Sequence, residues 1–271
     1  MKVAVCRPQV PFVWGGAELL ADSLVAELRR RGHEATGVSI PFKWYPGARV
    51  LTQALLWRLV DLEEADGRPI DLVIATKFPS YAVRHRNKVV WLVHQFRQAY
   101  DLDGTELAQF GPSAFDRATR RAVHRLDRVA LGEARRVFAI SANVAARLER
   151  SLGLGAEVLL PPPQDLKYRC EGYGDFVLAV GRLDRVKRID LLLESTALVP
   201  GLKLVIVGDG PDRGRLEALG RRNGAAEAAI TFTGNVPADA LADLYARCLA
   251  VYYAPRDEDF GLVPLEAGPW P

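Results

Sequence analysis

The sequence predicts an α/β protein built as two doubly wound domains, on three observations. Short runs rich in Val, Ile and Leu alternate with longer helical patterns. Several of these runs, Val89–Val93 and Phe176–Val180 among them, are apolar at every position rather than every second one, as expected of strands buried on both faces of a parallel sheet. The alternation is interrupted at Pro161-Pro162-Pro163, where three fixed φ angles impose an extended path that cannot continue a sheet interior.

Before the prolines, the strand candidates are Val3–Cys6, Ala35–Ile40, Leu72–Ala75, Val89–Val93, Val137–Ile140 and Val158–Leu160. Helical patterns fill the gaps at Glu18–Arg31, Ala48–Glu64, Phe115–Arg135 and Ala142–Arg150. After them come strands Phe176–Val180, Leu204–Val207, Ile230–Thr233 and Leu249–Tyr253, with helices Leu191–Leu198, Asp212–Arg222 and Ala238–Arg247. The expected domains are therefore 1–165 and 166–271, both Rossmann-like, facing a cleft. A doubly wound nucleotide-binding domain usually has about six strands. The second domain offers four before Gly268-Pro269-Trp270-Pro271, so it is expected to be incomplete by about two strands.

Composition narrows the classes. Hydrophobic residues make up 49% and charged residues 25%, ordinary for a globular chain able to bury a core. The 36 basic residues nearly balance 33 acidic ones, which gives no ground for nucleic-acid binding. Cys6, Cys170 and Cys248 are spaced for neither a disulfide frame nor a zinc site. No run is long enough to span a bilayer, and the opening MKVAVCRPQVPF is too short for a signal peptide's apolar region; a cytoplasmic location is expected.

Four segments could carry chemistry. Trp14-Gly15-Gly16-Ala17-Glu18 lies between the first strand and its helix, where glycines admit a ligand to the backbone and helix-start amides favour an anion, or simply satisfy turn geometry. Gly181-Arg182-Leu183-Asp184-Arg185-Val186-Lys187-Arg188 follows a strand at its carboxyl end; Arg182 and Lys187 could hold a diphosphate there, or form a solvated basic loop. Gly208-Asp209-Gly210-Pro211 reads first as turn geometry. Glu258-Asp259-Phe260-Gly261-Leu262-Val263-Pro264-Leu265-Glu266 sets two carboxylates around a proline-started helix, fit to accept from sugar hydroxyls, to act as an acid/base pair, or to sit unremarkably at a helix start.

In this order and spacing, GGAE, GRLDRVK, IVGDGP and EDFGLVPLE resemble glycosyltransferase family 4, retaining enzymes of the GT-B fold ("glycosyl transferases group 1"). The resemblance implies that Gly15 and Gly16 face the donor phosphates or the acceptor. Arg182 and Lys187 would bind the donor diphosphate and stabilise it as it leaves. Glu258 would bind hydroxyls of the transferred sugar, and Phe260, Gly261 and Leu262 would offer backbone amides near it. Glu266 would hold the ribose, and His94 matches the histidine near the reaction centre. The implied reaction moves a hexosyl group from a nucleoside diphosphate sugar to the hydroxyl of a glycan or lipid-linked acceptor, with retention, no metal and no cofactor beyond the donor.

The sequence departs from the family pattern at Arg188 and Asp259, both usually Gly, and at the closing EAGPWP. An inactive truncated fragment and a nucleotide-sugar epimerase on the same fold are the alternative readings. Lys43, Trp44, Tyr45 and Arg49, with Arg117, Arg120, Arg121, Arg125 and Arg128, suit either a peripheral contact with anionic lipid at the inner face of the membrane or a solvated helix face.

Overall fold

A computed structural model describes residues 1–162, 169–199, 201–222 and 229–268. The chain divides into two compact units, Met1–Pro161 and Pro162–Pro271. The boundary expected at 165/166 lies outside the described residues.

The first unit runs β1 (Lys2–Gln9), α1 (Gly16–Arg30), β2 (Glu34–Pro41), α2 (Val50–Leu59), β3 (Glu64–Ala65), β4 (Arg68–Pro69), β5 (Leu72–Lys77), β6 (Lys88–His94), α3 (Ala114–Gly132), β7 (Arg136–Ala139), α4 (Ala142–Leu152) and β8 (Glu157–Val158). Six strands form one parallel sheet in the order β2-β1-β5-β6-β7-β8. Val3, Ala4, Val5 and Cys6 of β1 and Val90 and Leu92 of β6 are buried, which explains why these runs lack alternation. After β2 the chain returns to the other side of β1. The switch point of the sheet is therefore between β1 and β5, where open α/β sheets take ligands beyond the strands' carboxyl ends.

Two helices are shorter than expected. The pattern Ala48–Glu64 yields a helix ending at Leu59, because Val60 is extended and the Asp61 carboxylate accepts from the Glu63 amide at 2.9 Å. A two-residue hairpin follows, turning at Asp66 and Gly67, both with positive φ. Helix α3 stops at Gly132 instead of Arg135. Glu133 is drawn into a bidentate pair with Arg58, and Arg135 donates to the Lys88 carbonyl to enter β7. Side-chain caps start two helices: Ser113 accepts from Asp116 N and Ser141 from Val144 N.

The second unit runs β9 (Phe176–Val180), α5 (Ile189–Ser195), β10 (Lys203–Val207), α6 (Arg213–Arg222), β11 (Ile230–Gly234), α7 (Ala238–Arg247), β12 (Ala250–Tyr252) and α8 (Leu262–Ala267). Its parallel sheet, ordered β11-β10-β9-β12, reproduces the first four places of the 3-2-1-4-5-6 Rossmann order. The core gathers Ala179, Leu183, Leu192, Leu193, Leu204, Ile206 and Leu216 from strands, helices and the loop after β9. Winding reverses across β9, which puts the switch point between β9 and β12.

Candidate active site

Gly15, Gly16, His94, Arg182, Lys187 and Glu258 lie in segments at or beyond the carboxyl end of a parallel strand. In the second unit, the loop after β9 and the loop after β12 flank the switch point. The Arg256 amide donates to the Val186 carbonyl at 2.8 Å, and Tyr252 Oη donates to the Arg188 carbonyl at 2.7 Å. These bonds bring Lys187 Nζ against Glu258 Oε2 in a short ion pair. The two side chains keep 28% and 22% of their surface, so the pair stands open to a ligand's charges. Asp184 accepts from the Lys187 amide at 3.3 Å and lies within electrostatic reach of both Lys187 and Arg182. Burial raises its carboxyl pKa and the two cations pull it back. Arg182 is exposed.

The Gly208–Pro211 turn is the scaffold of that basic loop. Gly181 N donates to Val207 O, Leu183 N to Asp209 O and Asp212 N to Leu183 O, each at 3.0 Å. The two loops run so close that a methyl on Gly208 would overlap the Gly181 carbonyl, and one on Gly210 the Leu183 carbonyl. Turn geometry is thus what this motif supplies, and it fixes where Arg182 and Lys187 emerge.

Gly261 caps α8, with Phe260 and Leu262 half-buried beside it. Pro264 falls in the first turn, where no carbonyl awaits its missing N–H. Glu266 is buried, and its Oε2 accepts from Tyr245 Oη of α7 at 2.9 Å. Burial raises its pKa and the tyrosine bond works against that. The structure therefore joins Lys187 with Glu258, while Glu266 is held by α7. Arg188, the first departure from the family pattern, has φ 54 and ψ 37, a left-handed conformation that glycine adopts at little cost. Asp259 is not at positive φ, so the backbone there imposes no need for glycine.

In the first unit, Gly15 is the N-cap of α1 and Gly16 its first residue. The Gly15 amide is bonded to Glu18 Oε2 at 3.0 Å, so the anion at this helix start is the chain's own carboxylate. Glu18 Oε1 in turn meets Lys77 Nζ, at the end of β5, at 2.5 Å. His94 lies opposite Lys77 in the β5–β6 register, and its Nδ1 donates to the Gln95 carbonyl at 2.6 Å, a contact that fixes this tautomer. Gly15, Gly16 and His94 are thus linked through Glu18 and Lys77. Sequence reading gave Lys77 no role; the available signal was a lone cation closing an otherwise apolar strand.

Of the basic residues read from the sequence, Arg121 and Arg125 line an apolar groove of about 530 Å³ together with Leu51, Leu55, Ala118, Ala122, Leu126 and Val129. Leu55 and Leu59 are 55% and 80% exposed, leaving this α2–α3 face uncovered. No described helix is long and apolar enough to cross a membrane. Among the described residues, no group of three or more His, Cys, Asp or Glu side chains could hold a metal.

Two parallel sheets with candidate residues at their switch points, and a scaffolded basic loop in the second, define a doubly wound α/β protein. Residues 170–268 match the family model "Glycosyl transferases group 1". The chain as a whole has the GT-B fold. It is similar to sucrose-phosphate synthase from Thermosynechococcus elongatus at 18% identity and TM-score 0.75. It is similar to WaaG, a glycosyltransferase involved in lipopolysaccharide biosynthesis, at 17% and 0.72. It is also similar to HepE of Anabaena, solved in complex with UDP and glucose, at 18% and 0.63. Each alignment covers 98% of this chain and 78% of the other. No curated protein sequence matches the chain.

Proposed function

We propose that the chain transfers a hexosyl group from a nucleoside diphosphate sugar to an acceptor hydroxyl, with retention at the anomeric carbon. The observation that carries this reading is the Lys187–Glu258 pair at the switch point of the second sheet, with Arg182 on the same scaffolded loop. Breaking the sugar–diphosphate bond places growing negative charge on the leaving group. Cations fixed beforehand lower that barrier without waiting for solvent to reorganise. Lys187 and Arg182 take this part in place of a metal ion. Glu258, held beside Lys187, is placed to accept from hydroxyls of the transferred sugar, with the amides of Phe260, Gly261 and Leu262 nearby. Glu266 takes the ribose and His94 acts close to the anomeric carbon, as the family resemblance implies. Gly15 and Gly16 line the ligand side of the first unit. HepE, crystallised with UDP and glucose, supports a donor of this class.

The test is turnover with UDP-, GDP- and ADP-hexoses against glycan and lipid-linked acceptors, with the anomer of the product read by NMR. A retained glycoside, formed at the same rate in EDTA, is expected. Sugar epimerisation without acceptor, or an inverted product, would contradict the proposal.

The arginine-flanked groove favours a further partner, an anionic lipid surface at the inner face of the membrane. Flotation with phosphatidylglycerol vesicles, and none with phosphatidylcholine, is the expected outcome.

A further inference from the structure

The segment between β1 and α1 holds an aromatic display that the donor chemistry does not use. Val13 N donates to Val10 O at 3.2 Å, closing a β-turn with Pro11 second and Phe12 third. Phe12 has φ 63, at a position where such turns take glycine. Positive φ is a true outlier for a bulky side chain and persists only where the surroundings enforce it. Here the Gln9 side-chain amide enforces it, donating to Val10 O at 2.9 Å and to Val13 O at 2.7 Å. The ring so displayed is fully exposed, at 103%.

Trp14, two residues on, is 61% exposed. The Arg7 guanidinium lies 5.1 Å from its ring centroid and covers one face. Arg7 is itself fixed by Asp22 at 2.7 Å and the Glu18 carbonyl at 2.8 Å, so the indole is backed by an immobile support. Both residues lie in the segment that leaves the carboxyl end of β1, at the switch point of the sheet, and leads into Gly15, whose amide holds Glu18.

We propose that Phe12 and Trp14 form an aromatic platform for the acceptor and determine which acceptors bind. The ligand chemistry is an apolar C–H surface, either the face of a sugar ring or the alkyl part of a lipid aglycone, stacked on the two rings. The assignment rests on the transfer reading for the word acceptor. The platform itself rests on a strained backbone and two displayed rings.

The experiment uses the full chain with methyl β-D-glucopyranoside and n-octyl β-D-glucopyranoside below its micelle concentration. Binding is followed by saturation-transfer difference NMR in the wild type, Phe12→Gly and Trp14→Ala. Phe12→Gly relieves the turn, so it should raise Tm by about 2–4 °C while weakening glycoside binding at least tenfold. Trp14→Ala should weaken binding without that rise. Saturation of the ring protons of both glycosides identifies the sugar face as the ligand; saturation confined to the octyl chain identifies the aglycone. Unchanged glycoside binding in Phe12→Gly, or a fall in its Tm, would overturn the proposal. Thermal shifts by UDP, GDP and ADP, expected to be equal in all three proteins, report on the transfer reading separately; their absence from the wild type counts against that reading alone.

Discussion

In the first unit, Lys77 and Glu18 meet with their side chains 14% and 8% exposed, and Glu18 spends its second oxygen on the Gly15 amide. In the second unit, Lys187 and Glu258 meet near the corresponding strand ends with 28% and 22% of their surface in solvent. Residue types and sheet position are shared, but the environments differ. The inner pair is a clamp: its cation ties the end of β5 to the start of α1, and its anion replaces whatever a helix N-terminus would otherwise attract. The outer pair has more solvent around it and stands on a loop shaped by Gly208 and Gly210, so a diphosphate can compete with Glu258 for Lys187. An ion pair at a switch point is therefore not by itself a ligand site; exposure and the second use of the carboxylate separate the two.

The largest expected effect tests the outer pair. Lys187→Ala should lower kcat by about 10²–10³-fold, as losing one preorganised charge donor does elsewhere. Urea unfolding should move by less than about 1 kcal/mol, because an exposed pair adds little stability. A large loss of stability with normal turnover would reverse the roles assigned to the two pairs.

A buried charge of the first unit sharpens the contrast through pH. Asp127 is fully buried under Tyr100, whose Oη donates to it at 2.8 Å, and burial pushes its carboxyl from 3.8 up to about 7. The folded chain then binds this proton more tightly than the unfolded chain does. The group's contribution is fullest below about pH 4 and is lost as pH rises through about 7, a difference on the order of a few kcal/mol. Asp127→Asn should flatten this slope of stability against pH between about 4 and 7, measured by urea denaturation; an unchanged slope would show that Asp127 is ionised in the fold.

Lys77→Ala is expected to cost about 2–3 kcal/mol of stability, since it strands a buried carboxylate. Arg188→Gly is the smallest effect, a gain of about 1 kcal/mol from relieving a left-handed arginine. Both are read by the midpoint of chemical unfolding, and a loss in Arg188→Gly would show that the arginine's own contacts outweigh its backbone.

The strands were legible because burial on both faces erases alternation, as in β6 and β9. The basic loop and the Glu258 segment were legible because Gly and charge cluster where apolar runs stop. The end of α2 was not, since Leu59 and Val60 prolong the apolar pattern that the Asp61 side chain breaks; the Asp66-Gly67 turn was the missed signal. Lys77 escaped because its partner lies 59 positions away, a pairing only the register of β1 and β5 creates. Phe12 escaped because a phenylalanine is not the residue that positive φ usually announces.

The most direct measurement is the thermal shift produced by UDP, GDP and ADP in the wild type, Lys187→Ala and Lys77→Ala. At least one nucleotide should raise Tm in the wild type and in Lys77→Ala, and none should do so in Lys187→Ala. An equal shift in Lys187→Ala, or no shift in the wild type with any of the three, would contradict the account.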